Sequence, residues 1–332
     1  MEAATTLPRL GPRGLLPFLY QYGIYVVLGA MIVYFSTTNP NFLTVRNAMI
    51  ILQQAAPLGI AVIGMVFVLV VAGIDISVGQ NMFLVATLVG ITMNSMRAAG
   101  YLGTFRSYLG IYAIALCVGA LVGALNGLLV SRFRLVPFIA TLATMGIARG
   151  VALISANSKV AFVEKLGVVS NGSIGGIPFV VIILLVLAIA FDYVLRRTPY
   201  GRQVMAIGAD QVAAQKVGIR IDRDVFLAYL ICGTLGGLGG VLSAGQVGAV
   251  AVYFADGNEF LVISAAVLGG TSLFGGKASV LPGALIGILL VTTIVNGMTM
   301  MNASPYAYKI VRGGIIFLAV MVDSLNYKGE LR

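Results

Sequence analysis

The sequence predicts an all-α polytopic membrane protein with about ten transmembrane elements, two related halves and broken helices. Three observations carry that expectation. The composition is 59% hydrophobic and only 10% charged, where a soluble domain carries about a quarter charged residues; a water-soluble fold has no way to hide that much apolar surface. Apolar runs recur at lengths near the ~20 residues that a helix needs to span a bilayer core. Glycine is abundant, with 42 residues, which is costly in soluble helices but lets membrane helices pack closely.

Residues 1–16 read as a short cytoplasmic tail: they carry Arg9 and Arg13 and no long apolar core, so they are not a cleavable signal peptide. A first membrane half, 17–195, holds spans at 17–36, 48–72, 108–130, 136–156 and 177–195. It also holds a shorter element at 76–94 that follows Gly73-Ile-Asp-Ile-Ser77. Residues 196–223 form the longest polar segment, a cytoplasmic coupling segment. A second half, 224–323, holds spans at 224–245, 280–300 and 305–323, and a shorter element at 258–270 ahead of Gly269-Gly-Thr-Ser272. Residues 324–332 form a second cytoplasmic tail. Each half has a long span, a Gly/Ser-broken element and further spans, a pattern that in transporters points at the pathway.

With the N-terminus inside, ten elements put the C-terminus inside as well. Thirteen Lys and Arg then fall on the cytoplasmic side and five on the other, as the positive-inside rule requires. The net charge of +10 is spread between apolar runs and is not a nucleic-acid footprint. The chain has no His, which excludes His-based catalysis and His metal sites. Cys117 and Cys232 lie in apolar segments and read as packing residues.

Several constellations carry chemistry. In Gly73-Ile-Asp-Ile-Ser-Val-Gly79, a carboxylate near the membrane must be wet, paired or capping. Asp75 or Ser77 is therefore expected to cap the next helix at the cytoplasmic face, or to serve a gate. Gly269-Gly-Thr-Ser-Leu-Phe-Gly-Gly-Lys277-Ala278 invites a phosphate-loop reading and fails it, with Thr271 where the first Gly is required and Ala278 where Ser or Thr is. In the segment 196–223, Pro199 and Gly201 make a turn. Asp210 is a plausible N-cap and Gly218 a plausible C′ residue. The helix between them is short and marginal alone; its small-residue face of Val212, Ala213, Ala214 and Val217 calls for a partner groove.

Glycines at 119, 123 and 127, at 233, 236, 237, 239 and 240, and at 283 and 287 are expected to bring helices together. Gln53, Gln54, Asn126, Thr141, Arg149, Gln246, Glu259, Asn296 and Tyr306 interrupt apolar spans and must face protein or water. Each reads singly as interhelical glue. As a set, with Asn126, Glu259, Asn296 and Tyr306 foremost, they are candidates to line a path for a neutral hydroxyl-rich solute.

These motifs, in order, resemble the branched class of bacterial ABC-importer permeases, specifically the ribose/galactose/xylose-type sugar permeases. The resemblance rests on Asn39-Pro-Asn-Phe-Leu43, Gly73-Ile-Asp-Ile-Ser-Val-Gly79, Pro137-Phe-Ile-Ala-Thr-Leu142, Arg197-Thr-Pro-Tyr-Gly-Arg202, Ala206-Ile-Gly208 and Ala265-Ala-Val-Leu-Gly-Gly-Thr-Ser-Leu-Phe-Gly-Gly276, and covers nearly the whole chain. It implies a bacterial inner-membrane location, a second permease copy or paralogue, a cytoplasmic ATP-binding subunit and an extracytoplasmic sugar-binding protein. No cofactor is expected on this chain, with ATP and Mg held by the partner ATPase. It implies that Tyr200, Gly201, Gly208, Asp210, Ala213, Ala214, Val217 and Gly218 belong to a coupling element docking into that ATPase. Two positions depart from the family pattern: Val212 replaces a Glu, and Val262 an Asp, while Glu259 is kept. An ion-coupled secondary transporter is the alternative function.

Overall fold

The computed structural model describes residues 12–157, 159–163 and 167–330. Arg9, Lys165 and Arg332 of the charge argument, with most of the N-terminal tail, lie outside them. Thirteen helices are described: α1 (Pro12–Thr38), α2 (Val45–Val70), α3 (Val78–Ala98), α4 (Phe105–Ser131), α5 (Pro137–Ser155), α6 (Gly167–Asn171), α7 (Phe179–Arg197), α8 (Pro199–Ala209), α9 (Gln211–Lys216), α10 (Ile221–Val247), α11 (Asn258–Leu268), α12 (Leu285–Met300) and α13 (Pro305–Glu330). A segment kinked at Leu281, Val280–Ala284, leads into α12. Two antiparallel strand pairs complete the described chain: β1 (Ala161–Phe162) with β4 (Ala249–Val250), and β2 (Ser173–Ile174) with β3 (Ile177–Pro178).

Each of the ten predicted segments coincides with helix. Six are long and apolar enough to cross a bilayer: α2, α4, α5, α7, α10 and Val280–Met300. Of α1, the stretch Gly23–Thr38 counts as a shorter apolar helix among the described residues, and the other three differ for separate reasons. Helix α3 carries Gln80, Asn81, Thr87 and Arg97 and buries most of its surface on other helices instead of presenting it to lipid. Helix α11 has 11 residues and so measures about 16 Å, half a bilayer core. Helix α13 carries Lys309, Arg312 and Asp323.

The core centres on α2, which is buried without interruption from Gly59 to Val70. Helix α10 lies against it and against α3 and α4. The expected glycine packing is present. Gly119 and Gly123 of α4 meet Gly233 and Gly237 of α10 backbone to backbone, leaving no room for a Cβ on either side. Pro57 interrupts α2 and cannot donate to the carbonyl four residues earlier. That carbonyl, on Gln53, instead accepts from Nε2 of Gln246 at 2.8 Å. Gln246 is thus structural.

Helix α10 connects the two ends of the bundle. One end gathers α8, α9, the α2–α3 break (71–77) and the segment 269–279. The other carries the β1–β4 pair. From β4, residues 251–257 turn back into the bundle, and α11 runs from there toward 269–279.

Candidate functional site

At the α8–α9 end, Thr198 caps α8 by accepting from the Gly201 N–H at 3.3 Å. Tyr200 stacks on Phe67 of α2 (centroids 6.1 Å, planes 8° apart) and donates to the Asp224 carbonyl at 3.3 Å. Burial, and secondarily the Asp224 charge, pushes the Tyr200 phenol above its ordinary range, so it stays a donor at physiological pH. Gly201 packs on the Leu195 carbonyl. Gly208 packs on the Val70 carbonyl and the Gly276 N–H, two groups bonded to each other at 2.9 Å. Helix α8 is therefore seated where α2 ends and where the 269–279 segment arrives.

Asp210 is the N-cap of α9, accepting from Val212 N at 2.9 Å and Ala213 N at 3.0 Å. Gly218 takes φ +85°, the left-handed conformation expected after the helix. The expected single apolar face divides, however. Ala214 is 3% exposed and packs inward, whereas Val212 is 63% exposed, and Ala213 and Val217 are exposed too. A helix this short cannot turn both Ala214 and its neighbours to one side.

At the α2–α3 break, Asp75 is buried. Its Oδ1 accepts from Ser77 N (2.9 Å), Ser77 Oγ (2.6 Å) and Asn126 Nδ2 (3.2 Å), and Asn126 Nδ2 also reaches Ser77 Oγ at 2.7 Å. Thr141 Oγ1 accepts from Ile76 N at 3.3 Å, and Tyr229 donates to the Ile74 carbonyl at 3.3 Å. The break is thus held by α4, α5 and α10 together. Ser77 occupies the N-cap position of α3 but its side chain caps nothing; it bonds Asp75 and Asn126 instead, which corrects the expectation for that residue. Beside the break, an 890 Å³ cleft opens between Arg134, Gln215, Arg220, Arg223 and Tyr229.

A third constellation forms where 251–257 meets α11. Arg149 of α5 pairs with Asp256 at 3.3 Å and touches Gln80 Oε1 at 3.5 Å. Arg312 of α13 donates to the Asp256 carbonyl at 3.0 Å and lies against Gly257. Glu259 is 4% exposed, its Oε2 unpartnered and set against Gly79 of α3. Gly79→Ala is expected to displace that carboxylate and cost about 1–3 kcal/mol, read as a lower Tm. Gly146→Ala, with open space around it, is the matched control and should be neutral or stabilising.

Of the four expected pathway residues, only Glu259 joins this third group. Asn126 serves the Asp75 network. Asn296 is buried on α12 with its Oδ1 unpartnered, and Tyr306 is exposed at the start of α13; neither joins a cluster. Sequence reading missed Asp256, Gln80 and the role of Arg312. The signal available was Arg312 itself, a charge inside a span. The loop 269–279 binds inward: Gly276 N goes to Val70, Leu273 N to Asp323 at 2.8 Å. Those amides are committed, in keeping with the failed phosphate-loop pattern. No group of metal-ligating side chains occurs among the described residues.

Residues 47–320 match the model of a family described as branched-chain amino acid transport system / permease component. Curated relatives include the ribose import permease protein RbsC of Escherichia coli, 34% identical over 90% of this chain and 92% of that protein. The D-allose transport system permease protein AlsC of Escherichia coli is 33% identical over 94% of each chain. The galactose/methyl galactoside import permease protein MglC of Escherichia coli is 30% identical over 96% of this chain and 98% of that protein. No solved structure matches the chain. With a match this long and six apolar helices of spanning length, the chain is a multi-pass membrane protein that belongs to the branched-chain amino acid transport system / permease component family.

Proposed function

We propose that the chain is the membrane-spanning permease subunit of an ABC importer that moves a monosaccharide or similar small polyol across the bacterial inner membrane by alternating access. In this reading the α8–α9 end faces the cytoplasm, both termini lie on that side, and ten elements in two related halves make the membrane domain. A second permease, a cytoplasmic ATP-binding subunit carrying ATP and Mg, and an extracytoplasmic sugar-binding protein complete it. The names of the relatives support a sugar as cargo.

The observation that carries the mechanism is the seat of Gly208. A force applied to α9 by an ATPase passes into α8, and α8 rests on a hydrogen bond that joins the end of α2 to the 269–279 segment. Both broken elements of the bundle meet there. Small movements at such a packed junction become discrete rearrangements because close-packed interfaces deform little.

The test is Ala213→Glu. Ala213 faces outward, so the purified permease should keep its Tm while co-purification of the ATP-binding subunit falls about tenfold or more, the cost of an unpaired charge at an interface core. Ala214→Glu is unsuitable, since Ala214 packs inside this chain. Undiminished association and solute-stimulated ATP hydrolysis in Ala213→Glu would remove α9 from the docking surface.

A further inference from the structure

Arg149 is the thirteenth residue of α5, about 18 Å along a helix that crosses the bilayer. Asp256 sits one residue before Gly257, the N-cap of the half-length α11. Their pairing therefore lies deep in the membrane thickness. Yet the Arg149 side chain is 31% exposed and that of Asp256 56%. Charges this open at that depth cannot face lipid; they face water or a polar occupant.

Arg149 and Arg312 stand beside Asp256 and the buried Glu259, two basic and two acidic side chains. The bonds of Arg149 are single and long: 3.3 Å to Asp256 and 3.5 Å to Gln80. Neither is the two-pronged guanidinium–carboxylate fork that these groups form when they are committed to each other. Donors and acceptors are left over. A carboxylate only accepts and a guanidinium only donates. A vicinal diol offers two O–H donors to the one and lone pairs to the other, and leaves the charge balance untouched. Glu259 Oε2 is buried against Gly79 and presents no surface to a solute; it lies behind this group.

We propose that Asp256, with Arg149 and Arg312, forms the mid-membrane subsite that contacts the travelling solute, and that it selects neutral solutes bearing vicinal hydroxyls. This rests on the importer reading above. The subsite discriminates inside the permease, after the binding protein has released its cargo.

The experiment uses the assembled importer in proteoliposomes with ATP on the nucleotide side. Methyl β-D-ribofuranoside is paired with methyl 2-deoxy-β-D-ribofuranoside, whose hydroxyls at C3 and C5 are not vicinal, and D-ribose, D-allose and D-galactose are run beside them, all at concentrations that saturate the binding protein. The ratio of maximal uptake rates then reports the permease. The wild type should favour the intact diol by about tenfold, the worth of a hydrogen bond to a charged group. Asp256→Asn should bring the ratio near one, and Arg149→Lys, which keeps the charge but loses the guanidinium's spare planar donors, should give a value between. A ratio unchanged in both variants, or uptake lost with the ratio of the residual flux unchanged, overturns the subsite. Should Asp256→Asn fail to assemble, Arg149→Lys alone decides. A wild type that takes up diol and deoxy sugars equally also overturns the subsite but spares the importer; one that takes up none of these sugars overturns the importer reading.

Discussion

Gly208→Val should abolish coupled transport and lower the stability of the permease by about 3 kcal/mol, at the upper end of what overpacking a close-packed site costs. A Cβ at this position falls on the Val70 carbonyl and the Gly276 N–H. Both are backbone atoms, so no side chain can rotate away. Either α8 lifts off the end of α2, or the Val70–Gly276 hydrogen bond breaks. In both cases α9 loses its rigid connection to the two helix breaks. Thermal unfolding and ATP-dependent uptake are the measurements. Gly100→Ala, in the turn between α3 and α4, is the control: Gly100 has the left-handed φ of +74° but open space around it, so it should cost about 1 kcal/mol in conformational strain and leave uptake largely intact.

Asp75→Ala should destabilise the bundle by about 3 kcal/mol, because it withdraws the acceptor that buried donors share. Ser77 N, Ser77 Oγ and Asn126 Nδ2 all reach Asp75 Oδ1. After the change the hydroxyl and amide still meet each other, but the Ser77 N–H at the start of α3 has nothing. Asp75→Asn keeps an acceptor oxygen and should cost roughly 1 kcal/mol, the worth of a weakened hydrogen bond. The chain has no Trp, so unfolding is best followed with a thiol-reactive dye. On a Cys117→Ser background the buried Cys232 becomes labelled as the bundle opens. Equal Tm values for wild type and Asp75→Ala would show that the network is not what holds the α2–α3 break.

The helices were legible because a lipid-facing run needs nothing but apolar length, and α9 was legible because Asp210 and Gly218 punctuate it. The site was legible only in part. Asn126 could be read as polar within a span, but not as the partner of Asp75, which lies 51 residues away; that meeting follows from the glycine contact between α4 and α10. Arg149 and Asp256 are 107 residues apart, and Asp256 lies outside the apolar runs that drew attention to intramembrane polar groups. Gln246 read as pathway or glue, although Pro57 already signalled a freed carbonyl needing a donor. On α9, Val212, Ala213 and Val217 share the outer face while Ala214 turns inward; helical spacing alone does not say which side of a six-residue helix the rest of the chain occupies. Helix α3 is less apolar than its neighbours for a related reason: other helices, not lipid, cover it.

In the proposed importer, force arrives from ATP through α9 and not from an ion gradient through buried charges. This is tested most directly by uptake into proteoliposomes holding the permease with its ATP-binding and solute-binding partners, with ionophores collapsing proton and sodium gradients. Sugar uptake should require ATP and both partners and be indifferent to the ionophores. Uptake by the chain alone, driven by an imposed ion gradient and blind to ATP, would contradict this.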